Sequence, residues 1–181
     1  MKLSAAQLRA RARDVDLLVL DVDGVLTDGG LYYGADGEAL KRFDVKDGHG
    51  LVLARLSGLK AAILTARMSR IVQVRAGELG LAPVSQGNRD KRAGLVKLLR
   101  DVGVQHERAA YVGDDLNDLA ALHEVRFSAC PADAHPDVRR CVHYVARASG
   151  GRGAVREIVE LILRAQGRWG AALKQMGLAP R

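Results

Sequence analysis

Leu17-Leu18-Val19-Leu20-Asp21-Val22-Asp23-Gly24-Val25-Leu26-Thr27 is the stretch that decides the fold. Four apolar residues in a row read as a strand buried on both faces, as in the interior of a parallel sheet. The run then meets two carboxylates and a glycine. Burying an unpaired carboxylate is costly, so both acids belong where the strand leaves the sheet and a cation can meet them. In open α/β sheets that carboxyl edge is where ligands bind. A lone D-x-D-G would be read as a turn, but two further apolar runs end in the same way.

Those runs are Ala61-Ala62-Ile63-Leu64, ending at Thr65, and Ala109-Ala110-Tyr111-Val112, ending at Gly113-Asp114-Asp115. Helical periods lie between them: a helix from about Ser69 to Leu79 stopped by Gly80, and another from about Asp90 to Val102. A capping-box spacing at Ser4 and Gln7 starts a helix through about Arg13. Residues 30–43 read as a β-hairpin closed by a glycine-bearing loop. Asp47 is expected to cap a helix carrying Leu51, Val52, Leu53 and Leu56. Arg126 to Ala129 and Val142 to Val145 are candidate strands around a turn-rich Pro131 to Pro136. The loop Ser149 to Gly153 leads to an amphipathic helix from about Ala154 to Ala165, and residues 167–181 show no period. This alternation predicts an α/β fold, a doubly wound parallel sheet with a hairpin insertion, as a single domain over 1–181.

Composition agrees and excludes little more. The 181 residues are 48% hydrophobic, enough for one packed domain. Met1 to Arg13 lacks the apolar segment of a signal peptide, and no run approaches the roughly 18 apolar residues of a membrane span. A cytoplasmic protein with no membrane partner is expected. Cys130 and Cys141 form neither a CxxC pair nor a disulfide framework. The net charge of +7 invites a nucleic-acid reading, but the cations are scattered and only 4% of residues are aromatic. Positive potential suits an anionic small substrate equally well.

If the three strands are parallel neighbours, Asp21, Asp23, Asp114 and Asp115 converge. Like charges that close cannot all stay ionised uncompensated, and a hard divalent cation such as Mg2+ resolves the conflict. Lys91 and Thr65 add donors, which makes a site for a phosphoryl group.

The set D-V-D-G-V-L-T, L-T-A-R, a loop lysine and G-D-D-x-x-D resembles the four motifs of the haloacid dehalogenase superfamily of phosphotransferases. The resemblance implies Asp21 as nucleophile and Asp23 as general acid and base, with Lys91 and Thr65 holding the transferring oxygens. It implies Mg2+ on the Asp21 carboxylate, the Asp23 main-chain carbonyl and Asp114. Asp115 and Asp118 are expected to ligate through water or to orient Lys91, a helix-surface acid being the plain alternative for Asp118.

The stretches between motifs leave room for no cap domain, and capless relatives cover the open edge by forming a homotetramer with the hairpin at the contact. Further matches run through F-D-V-K-D-G-H-G (Phe43 to Gly50), Y-V-G-D-D-L-N-D, A-D-A-H-P and G-G-R-G-A-V-R-E (Gly150 to Glu157). They make the chain similar to the branch that dephosphorylates a small sugar-acid phosphate, 3-deoxy-D-manno-octulosonate 8-phosphate, in lipopolysaccharide biosynthesis. By that likeness Asp44, Val45, Lys46, Asp47 and Gly48 line the substrate pocket, and Arg67 and Arg75 hold the sugar acid. Pairing with an acid on its own helix is the alternative for Arg75. Relatives acting on nine-carbon sugar acids carry an acid where Arg67 stands. Ala66 replaces a usual glycine and is expected to crowd the phosphate. A broader sugar-phosphate phosphatase, a phospho-accepting signalling domain and, least, a nucleic-acid binder are the competing readings.

Overall fold

The computed structural model describes residues 3–178. In chain order the elements are α1 (Ala5–Arg13), β1 (Leu17–Leu20), β2 (Tyr32–Gly34), β3 (Gly37–Leu40), α2 (Val45–Leu56), β4 (Lys60–Leu64), α3 (Arg70–Leu79), β5 (Val84–Ser85) and α4 (Lys91–Val102). They continue with β6 (Ala109–Val112), α5 (Leu119–Leu122), β7 (Phe127–Cys130), α6 (Pro136–Cys141), β8 (Tyr144–Val145), α7 (Ala154–Ala165) and α8 (Trp169–Gln175). Six strands form one sheet in the order β5-β4-β1-β6-β7-β8, and every neighbouring pair is parallel. The chain winds from β1 through β4 to β5 on one side, then crosses to β6, β7 and β8 on the other. Strand order therefore reverses beside β1, which is where a doubly wound sheet opens a crevice.

Burial explains why β1 sits at the centre. Leu17 and Val19 pack on one face with Leu95, Leu98 and Leu99 of α4 and Val138 of α6. Leu18 and Leu20 pack on the other with Leu51 and Leu53 of α2 and Val155, Ile158, Val159 and Ile162 of α7. Alternate side chains of one short strand thus seed both cores, and only a wholly apolar run can do that. β2 and β3 pair antiparallel as a separate hairpin, with Leu31, Tyr33 and Leu40 exposed.

Several boundaries differ from those read in the sequence. Asp44, not Asp47, caps α2, its carboxylate accepting from the Lys46 amide at 2.7 Å. β5 is two residues long and gains its identity only from pairing with β4. β8 covers only Tyr144–Val145, and α6 starts at Pro136, the last residue of the stretch read as turns, and runs on to Cys141 with His135 as its cap. α8 occupies part of the tail that lacked a period, where Trp169 lies under the guanidinium of Arg164. Residues 179–181 of that tail lie outside the described residues.

Asp47 has a different task. Gly153 precedes α7 and has no side chain to cap it, so Asp47 reaches across from α2. Its carboxylate accepts from the Gly153 amide at 3.1 Å and the Arg156 amide at 2.9 Å. Burial pushes its carboxyl up, and these backbone bonds oppose the shift. Asp47 is buried, and its carboxylate holds the two elements together. Asp47→Ala should lower unfolding stability by about 1–2 kcal/mol, the usual cost of a lost cap. Urea denaturation checks this, and an unchanged midpoint would exclude the capping role.

Candidate active site

The carboxyl ends of β1, β4 and β6 are registered side by side, Leu20 opposite both Ile63 and Val112. The residues that follow each strand consequently share one cavity. It measures about 240 Å³ and is lined by Asp21, Asp23, Gly24, Gly29, Thr65, Ala66, Arg67, Asp114, Asp115 and Asn117. A larger groove of about 740 Å³ between α1, α6 and β8 has no carboxylate in its wall. Size does not mark the chemistry; the acids do.

Lys91 sits at the first turn of α4, and its side chain is wholly buried. Its ammonium lies 2.7 Å from Asp21 Oδ2 and 2.8 Å from Asp118 Oδ1, and it donates to the Tyr111 hydroxyl at 3.2 Å. Burial works against the charged amine, but the two carboxylates outweigh it and hold the Lys91 pKa above its ordinary value. Asp21 fares differently. Burial pushes it up, Lys91 pulls it back, and Asp118 pushes again, leaving it raised to about 6. The two shifts agree once the sharing is counted: one lysine has two acids, whereas each acid has a share of one lysine.

Asp118 is fully buried, so the helix-surface alternative is excluded. Its Oδ1 accepts from Lys91 and from the Tyr111 hydroxyl at 2.7 Å. Its Oδ2 accepts from the amides of Asp114 at 3.0 Å and Asp115 at 3.2 Å. Both oxygens are therefore fully engaged in positioning Lys91 and the Asp114 loop. Asp115 caps the turn that follows β6, accepting from the Leu116 amide at 2.7 Å.

Asp114 is the uncompensated member. Burial first, then Asp118, Asp21 and Asp115, raise it to about 8. One oxygen each from Asp21, Asp114 and Asp118 lie within 4.8 Å of one another. At an effective dielectric of about 20, like charges at that separation repel by roughly 3–4 kcal/mol. With Asp118 committed elsewhere, Asp21 and Asp114 form a hard oxygen pair of the kind magnesium takes. Gly24 makes room for it: its φ is +79°, and a Cβ there would lie 2.0 Å from Asp114 Oδ2. The donor set fits a divalent cation.

Asp23 is held from the other side. Its Oδ1 is bound by Lys41, just past β3, and its Oδ2 lies 3.5 Å from Arg67 Nε. Lys41 also pairs with Glu38 at 2.9 Å, Glu38 accepts from the Ser69 hydroxyl that caps α3, and Arg67 Nη2 donates to the Tyr33 hydroxyl at 2.8 Å. Sequence reasoning missed Lys41, whose one signal was its place two residues before the F-D-V-K-D-G segment; Tyr33 and Glu38 stood in the matched stretch from Gly30 to Glu38 but were given no role. Tyr111 was read as part of an apolar strand and of the Y-V-G-D-D-L-N-D match, with no role of its own.

The remaining expected residues are dispersed. Val45 is exposed and Gly48 buried, and none of residues 44–48 lines the 240 Å³ cavity. Arg75 pairs with Glu78 at 2.9 Å and lies over the Phe43 ring, which favours the ion-pair alternative. Ala66 lines the cavity without backbone strain, since among the described residues no non-glycine has positive φ. The crowding expected there finds no support in the backbone. The glycines after Ser149 are closely packed: a Cβ on Gly150 would lie 1.8 Å from the Gly24 carbonyl oxygen, and the Gly151 amide donates to Val25 O at 2.9 Å. They pack against the backbone of the Asp23-Gly24 turn.

The family of haloacid dehalogenase-like hydrolases matches residues 59–158. The KdsC 3-deoxy-D-manno-octulosonate 8-phosphate phosphatase of Escherichia coli (strain B / BL21-DE3) is 44% identical over 164 residues, covering 91% of this chain and 87% of that protein. The crystal structure of the phosphatase of the same name from Yersinia pestis has a TM-score of 0.89 at 43% identity, covering 92% of this chain and 90% of that one. The corresponding enzyme from Moraxella catarrhalis, in complex with magnesium ion, phosphate ion and KDO, has a TM-score of 0.92 at 38% identity, covering 96% and 99%.

The raised acids set a pH dependence. Between 3.8 and about 8, folded metal-free protein keeps a proton on Asp114 that the unfolded chain has released. The folded state binds more protons, so this group makes stability fall as pH rises through that window. Magnesium should cancel the loss, giving a larger gain in Tm near pH 8 than near pH 5 and releasing close to one proton on binding at neutral pH. Thermal unfolding with chelator or magnesium across that range tests it; a pH-independent gain would overturn the assignment of Asp114.

Proposed function

This chain belongs to the haloacid dehalogenase-like hydrolases, and on that footing we propose that it hydrolyses 3-deoxy-D-manno-octulosonate 8-phosphate to the free sugar acid and phosphate, with magnesium, in lipopolysaccharide biosynthesis. The observation that carries the reading is the delivery of Asp21 and Asp114 to one cavity by adjacent strands, with Lys91 buried against Asp21.

In this reading Asp21 attacks phosphorus in line, and an aspartyl-phosphate forms as the sugar oxygen leaves. The Asp21 and Asp114 carboxylates and the Asp23 main-chain carbonyl would hold magnesium, which when bound would offset the negative charge that nucleophile and phosphate bring together. Asp23 protonates the departing alkoxide, then takes a proton from the water that cleaves the intermediate. Lys91 and Thr65 hold the transferring oxygens. The Lys91 ammonium already has three partners, so it would turn to phosphate by releasing the longest, Tyr111 at 3.2 Å. Arg67 lines the cavity and offers a planar fork to the sugar carboxylate; because relatives acting on nonulosonates carry an acid at that place, an arginine there favours the eight-carbon acid. Asp44, Val45 and Lys46 flank the sugar, with Arg75, Asp47 and Gly48 shaping that segment from behind.

We further infer one domain and a homotetramer with the hairpin at the subunit contact. Leu31 at 48%, Tyr33 at 61% and Leu40 at 50% exposure support it. A cytoplasmic enzyme is part of this proposal; no helix among the described residues is long and apolar enough to cross a membrane.

Asp21→Asn should abolish phosphate release, whereas Asp23→Asn should retain a trickle reduced by roughly 10²–10⁴-fold, the contribution of a general acid. Equal residual activities would refute the division of roles. A panel of octulosonate, nonulosonate and simple sugar phosphates, assayed with magnesium and with chelator, tests the substrate. Preference for a nonulosonate ester would displace the present assignment.

A further inference from the structure

We propose that Lys41 is the positioning residue for the acid that expels the sugar, through its grip on Oδ1 of Asp23. The inference deepens the phosphatase reading and rests on Asp23 acting as that acid.

The grip is built rather than incidental. The Lys41 side chain is 1% exposed, and its ammonium lies between Asp23 and Glu38, 2.9 Å from the latter. A buried lysine needs partners, and the hairpin's own Glu38, fixed by the Ser69 cap of α3, supplies the second one. Charges therefore alternate from Glu38 through Lys41 and Asp23 to Arg67. The two cations on Asp23 are not equivalent. Lys41 is enclosed and in close contact, whereas Arg67 is 38% exposed on its side chain and stands 3.5 Å from Oδ2. An anionic substrate group can draw Arg67 away and free Oδ2 to face the leaving oxygen, while Oδ1 stays anchored. In the step concerned, Asp23 Oδ2 takes up a proton from solvent as Arg67 turns away, the bond from phosphorus to the ester oxygen breaks, an Asp21 oxygen bonds to phosphorus, and that proton passes to the departing oxygen. A misplaced Asp23 leaves that oxygen to depart as a full anion. The loss must therefore grow with the basicity of the leaving group.

The test compares kcat/KM, which reports steps through expulsion of the alcohol, for phenyl phosphate, p-nitrophenyl phosphate and the octulosonate ester. In Lys41→Met, kcat/KM should fall at least about ten-fold more for phenyl phosphate and the alkyl ester than for p-nitrophenyl phosphate, part of the 10²–10⁴ a whole general acid supplies. Lys41→Arg should bring the ratio back to within a few-fold of the parent. Partial unfolding lowers all rates together and leaves the ratios untouched, so a purely structural role for Lys41 predicts no widening. Unchanged ratios in Lys41→Met, beside a widened ratio in Asp23→Asn, would overturn the role of Lys41 alone. No widening in Asp23→Asn would overturn the acid assignment and this inference with it.

Discussion

One ammonium shared between two buried carboxylates is the constraint on which the site depends. Lys91 cannot be buried without Asp21 and Asp118, and neither acid could be buried without Lys91. Removing any member leaves a bare charge in the interior, a loss of several kcal/mol by analogy with other buried pairs. The trio also leaves a surplus. With Asp114 drawn in by the hydrogen bond its backbone N–H donates to Asp118, three carboxylates face one ammonium, and two negative charges remain when all are ionised. A divalent cation closes that gap without further protein charge. The arrangement is thus poised to be incomplete, and the raised values of Asp21 and Asp114 express the deficit.

Geometry beyond the sheet keeps this poise in place. The turn after β1 carries Asp23 and Gly24 and closes on the Val22 carbonyl, which accepts from the amides of Val25, Leu26 and Thr27. The glycine pair at 150–151 lies directly on its backbone and donates to Val25 O. That loop is in turn held at the start of α7, which Asp47 caps from α2. A chain of contacts thus links the apolar packing of α2 and α7 to the position of the catalytic turn. This gives the long G-G-R-G-A-V-R-E segment a physical reason: any side chain at Gly150 would strike the Gly24 carbonyl.

How much of this was legible in the sequence depended on whether a residue's meaning is local. Asp21, Thr65 and Asp114 each end an apolar run, and a run of that kind can end on a polar group only at a sheet edge, so topology followed from pattern. Family motifs then supplied roles that pattern could not. Asp44 and Asp47 both precede the same apolar period, and nothing local says which caps α2 and which reaches a distant helix. β5 is two residues long, and α6 and α8 are too short to show a period. Lys41 was the hardest case. In sequence it is a cation at the end of an exposed hairpin strand, the ordinary setting for a solvated side chain. Only the fold of the hairpin back over β1 and β4 turns it into a buried partner of Asp23.

That hairpin also bears on how a capless site excludes water from its chemistry. Phosphoryl transfer gains from a low-dielectric surround, because charge stabilisation weakens as water enters. Without a cap, the charges themselves must be held in the right order before substrate arrives. The alternating row from Glu38 to Arg67 does this with side chains from three separate segments. It also fixes a direction of entry. Lys41 is enclosed and Arg67 is open, so an incoming anion meets Arg67 first and disturbs only the looser of the two contacts on Asp23. In the proposed reading, binding at the sugar end and freeing of Asp23 are then one event, which lets substrate recognition assist catalysis where the described residues form no lid.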